Sequence, residues 1–98
     1  MSDRTTIRSA WTAHSGSDWP QFSSPHQGEL MTLDTVISGC VVYFLDTPEG
    51  LDSQRKNIVQ DCLTDLEALI DDLDPETLPY FLRLKELGTL LITGTPAP

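Results

Sequence analysis

The chain has 98 residues, 15 of them acidic and 6 basic, for a formal charge of −9. A chain of this length buries roughly two thirds of the surface its unfolded form exposes, enough for one hydrophobic core and not for two. The negative field argues against direct binding to nucleic acid, because affinity for a phosphate backbone rests on Lys and Arg displacing counterions.

The longest unbroken apolar runs, residues 41–45 and 90–92, fall far short of the ~20 residues of a membrane span, and no membrane contact is expected. Residues 1–13 carry Arg4 and Arg8 without the apolar stretch of ~7 to 15 residues that follows such charges in a secretory signal. A cytoplasmic location is the expectation. Cys40 and Cys62 sit among apolar neighbours and read as two buried free thiols.

Residues 1–28 are dense in Ser, Gly and Pro and read as an extended N-terminal arm, with Thr5, Ile7, Ser9 and Trp11 alternating as in one short strand. Trp11, Trp19 and Phe22 give that arm apolar area to dock on the rest of the domain or on a partner chain. Residues 29–92 form the single helical domain. Within it, Leu30, Leu33, Ile37, Cys40, Val41 and Phe44 recur at three and four and fall within about 100° on a helical wheel, so a first helix is expected over residues 29–45. Their β-favouring types leave an alternative, a hairpin at residues 30–45 packed on two helices in an α+β fold.

A second helix is expected over residues 48–73, begun at Thr47 with Pro48 or one turn later at Asp52 with Ser53. Ile58, Val59, Cys62, Leu63, Leu66, Leu69, Ile70 and Leu73 span an arc of about 140° and should all face inward. Asp74 and Pro75 repeat the start signal, and Leu78, Phe81, Leu84, Leu87 and Leu91 mark a third helix that ends at Gly88 or runs to Ile92. Residues 93–98 read as a flexible tail. The expected fold is all-α, a small antiparallel three-helix bundle carrying the extended arm.

Seven acidic side chains and no basic one lie between Asp61 and Glu76. Asp61, Asp65 and Asp72 form one stripe, and Glu67, Asp71 and Asp74 a second one across it. Asp61 with Asp65, and Glu67 with Asp71, are like charges at i and i+4, and Asp72 and Asp74 sit near the negative end of the helix dipole. Repulsion tolerated in so many places suggests a docking face for a basic surface on another protein. The same carboxylates lack the calcium-loop pattern, so no metal is expected. His14 and His26 lie in the arm, away from the helical core, and the thiols fall on apolar faces, which disfavours Cys and His nucleophilic chemistry. No phosphate-binding loop, dinucleotide turn or nucleophile elbow is present, and neither a cofactor nor enzymatic activity is expected. The residues point to a small acidic interaction module resembling an inhibitor or immunity-type protein in size and charge alone. The alternative is a self-associating subunit, a homo-oligomer built through its aromatic arm.

Overall fold

The computed structural model describes residues 3–17, 26–47 and 49–93. It is all-α, and the described residues contain helices α1 (Asp3–Ser15), α2 (Gln27–Asp46), α3 (Ser53–Ile70) and α4 (Leu78–Thr93). The expected three-helix count is therefore one short. Residues 3–15 are a helix and not part of an extended arm. Most of the Ser, Gly and Pro that suggested the arm lies beyond Ser15, whereas Ile7, Trp11 and His14 keep a helical spacing that places them on one face. The hairpin alternative at residues 30–45 is also overturned, because α2 runs through it without a break.

α2 buries Leu30, Leu33, Ile37, Cys40, Val41 and Phe44, the six residues expected from their spacing. α3 buries Val59, Cys62, Leu63, Leu66 and Leu69, and α4 buries Tyr80, Phe81, Leu84, Leu87, Gly88 and Leu91. Ile58 departs from its expected inward position: at 39% exposure it lies on the surface, at the edge of the apolar arc. Every pair of helices packs together except α1 with α3, so α2 and α4 form the central pair between them.

The contacts give the directions. Arg55 stacks 3.8 Å from the Tyr43 ring while His26 approaches Asp72 at 3.9 Å, so α2 and α3 are antiparallel. Glu67 faces Lys85 and Leu63 faces Gly88, which makes α3 and α4 antiparallel as well.

Helix ends follow local chemistry. Gly50 takes a φ of 82° in the link between α2 and α3, a conformation that a Cβ disfavours. α3 then starts at the later of the two expected sites: the Asp52 carboxylate accepts from the Arg55 backbone N–H at 2.8 Å and from its guanidinium at 2.6 Å. Pro48 lies outside the described residues. Before α4, the Asp74 carboxylate accepts from the Thr77 N–H at 2.8 Å, and Pro79 falls in the first turn, where a missing N–H does least harm. Gly88 does not end the last helix, which continues to Thr93. It lies buried against α3, where a Cβ would stand 2.7 Å from Leu63 Cδ2 and 3.2 Å from its Cγ.

α1 is held by polar atoms at both ends. The Arg4 guanidinium donates to the carbonyls of Phe44 at 2.6 Å, Leu45 at 3.3 Å and Thr47 at 3.0 Å, with its carbon 4.6 Å from the Phe44 ring centroid. The last carbonyls of a helix lack intrahelical partners and carry its negative dipole end, and α2 has no basic residue of its own in that turn. α1 supplies the missing cation.

The absence of a membrane span was expected from unbroken apolar runs, but α2 as a whole meets the length and composition required, with a mean hydropathy of 1.4 over its best window. The Thr, Ser and Gly that interrupt its runs lower hydropathy too little to disqualify it. A third of that window is buried inside the bundle, where it forms much of the core.

Candidate functional site

Two groupings of polar residues could carry chemistry. The first joins three helices. His14 Nε2 lies 3.1 Å from Asp34 Oδ1, and the Tyr80 hydroxyl donates to Asp34 Oδ2 at 3.1 Å. A carboxylate only accepts, so the contact is made by the hydrogen on Nε2. Nδ1 is buried with no hydrogen-bond partner among the described residues. The imidazole packs 4.5 Å from the Tyr80 ring, and the Arg83 guanidinium lies 5.9 Å from the centroid of that same ring while donating to Ser17 Oγ at 3.2 Å. His14 was expected outside the helical core and is instead 3% exposed within it. With His14 buried and the Asp34 side chain 20% exposed, the group acts as a latch between α1, α2 and α4.

Burial, followed by the Asp34 charge and the hydrogen bond to it, pushes the Tyr80 hydroxyl well above the usual tyrosine range, with Arg83 opposing. The folded state therefore holds this proton more tightly than the unfolded chain does. The associated stability is intact below about pH 10 and is lost as pH climbs toward the folded value. In urea melts at rising alkaline pH, Tyr80→Phe should show a shallower fall in midpoint above about pH 10 than the parent chain. Equal slopes would contradict the assignment.

Sequence reasoning missed Asp34 and Tyr80 as site residues. The available signal was the position of Asp34 on the wheel, about 20° from buried Val41 and so at the margin of the apolar arc.

Cys40 and Cys62 are free and buried. Burial raises both thiols above their ordinary range, and for Cys62 the neighbouring Cys40, Asp65 and Asp61 add to it. Neutral thiols of this kind are poor nucleophiles.

The second grouping is the acidic surface. Asp61, Asp65, Glu67, Asp71, Asp72 and Asp74 are all exposed. Glu67 meets Lys85 at 3.7 Å, and Asp72 has His26 at 3.9 Å. Hydrogen bonds from the Thr77 hydroxyl and backbone N–H hold the Asp74 carboxyl below the usual carboxylate range. Asp61, Asp65 and Asp71 have no ion-pair partner among the described residues. Members of the two stripes face different helices: Asp65 lies beside α2 and Asp72 beside His26 at its start, whereas Glu67 borders α4. Between α2 and α3 lies an open groove of about 350 Å³ lined by Gly28, Glu29, Thr32, Leu33 and Asp65.

Trp11 is half-buried against the chain's own core. Trp19 and Phe22 lie outside the described residues. No group of three or more metal-ligating side chains occurs among the described residues. No protein-family model, curated protein or solved structure matches the chain, so the functional argument rests on its own residues.

Proposed function

We propose that this protein is a small acidic interaction module that docks a basic surface on another protein through α3 and the turn into α4. The observation that carries the reading is the exposure of Asp61, Asp65 and Asp71 without a partnering cation among the described residues. Charges without an internal counterion need break no ion pair when a partner arrives, and complementary fields raise the encounter rate and fix orientation. An inhibitor or immunity-type protein fits this profile by size and charge. The two buried free thiols suit a reducing, cytoplasmic compartment.

The test combines capture and kinetics. The full chain should retain a basic protein from its native host that the Asp65→Lys, Asp72→Lys variant does not, and reversal should slow association of the captured protein about tenfold or more at low salt and far less at high salt. An association rate unchanged by both reversals would defeat the reading.

A second reading, self-association, is favoured by the outward face of α2. Met31 is 50% exposed and Val42 44% exposed, and the exposed Thr35 and Gly39 between them carry no charge. Two copies that each carry −9 repel least where neither is charged. If this reading holds, sedimentation should show a dimer that Val42→Lys dissociates.

A further inference from the structure

The groove between α2 and α3 is more selective than an acidic surface alone. Its floor is the largely buried Leu33, and one carboxylate stands on each helix beside it, Glu29 from α2 and Asp65 from α3. No cation lines it. The Thr32 hydroxyl is engaged by the Gly28 carbonyl at 3.1 Å and so leaves the groove without a free hydroxyl donor. At Gly28 an added Cβ would meet nothing within 4 Å, so that end stays open. Along α3, Asp61 lies one turn from Asp65 on the same line, about 6 Å away, and half-exposed Ile58 extends the line by another turn.

We propose that this groove receives a Lys or Arg side chain from a basic amphipathic helix of the partner protein, with its methylenes on Leu33 and its charge between Glu29 and Asp65. The proposal rests on the docking function above and narrows it to one kind of partner. Long cationic side chains lay their apolar stems on apolar surface and keep the charged head at a polar edge, which is the layout found here. A second cation four residues along the partner helix reaches Asp61, and an apolar residue beside it meets Ile58. A polycation without an apolar stripe gains nothing from Leu33 or Ile58.

Two synthetic peptides of equal length and charge separate these cases: a Leu and Lys amphipathic helix, and the same composition scrambled so that no apolar face forms. Titrated into the ¹⁵N-labelled full chain at about 150 mM salt, where long-range attraction is screened, the amphipathic peptide should bind about tenfold more tightly than the scrambled one. The shifted amides should centre on Gly28, Glu29, Thr32, Leu33 and Asp65. Gly28→Phe, which fills the open end of the groove, should abolish the preference while circular dichroism shows an unchanged fold. Equal affinities, with shifts spread over Asp71 and Glu76, would overturn the groove proposal and leave the docking function standing. A preference that survives Gly28→Phe would also overturn it. Failure of both peptides to bind even at low salt would overturn the two together.

Discussion

Leu66→Asp should leave the chain unfolded, with a far-ultraviolet circular dichroism spectrum lacking a cooperative thermal transition. Leu66 is 0% exposed, at the centre of the inward arc of α3. The substitution forfeits about 1.5 to 3 kcal/mol of apolar burial and places an unpaired carboxylate in the core at a cost of several kcal/mol more. A small domain has only about 5 to 15 kcal/mol in hand. Ile58→Asp, on the same helix but at an exposed position, should leave the transition within about 0.5 kcal/mol of the parent. The contrast matters because the two residues were equivalent in the helical pattern. Similar melting of both variants would show that the face of α3 is wrongly oriented.

Asp34→Ala should destabilise the fold by about 2 to 6 kcal/mol, read from urea denaturation. The carboxylate accepts from both His14 and Tyr80, and removing it strands two buried donors at about 1 to 3 kcal/mol each. His14 would then have neither ring nitrogen satisfied, since Nδ1 already lacks a partner among the described residues. Tyr80→Phe in the Asp34→Ala background should cost less than it does in the parent, because the hydroxyl no longer has anything to donate to. Strict additivity of the two changes would show that Asp34 does not bridge the helices.

The contrast between Leu66 and Asp34 shows what the amino-acid sequence made legible. Leu30 through Phe44 and Val59 through Leu69 were recoverable because helical periodicity is a local property, visible without knowing what packs against it. Asp52 and Asp74 were recoverable for the same reason: a cap acts within one turn. α1 was lost because composition was averaged over residues 1–28, which diluted the Ile7, Trp11, His14 spacing with Ser, Gly and Pro from beyond Ser15. Arg4 could not be placed at all, since its acceptors are carbonyls some 40 residues away at the far end of α2. The latch shares that difficulty, as His14, Asp34 and Tyr80 meet only when three helices assemble. For the acidic face, solvent exposure followed from the wheel. The groove beside Asp65 did not, because it is made by α2 crossing α3 and belongs to neither helix alone.

The contact between Gly88 and Leu63 ties the two positions together. Replacing this glycine with alanine would normally favour a helix by about 1 kcal/mol, yet the added methyl collides with a leucine that is itself packed in the interior. What position 88 accepts is therefore set by how far the Leu63 side chain can turn aside, so a change at either site alters what the other tolerates.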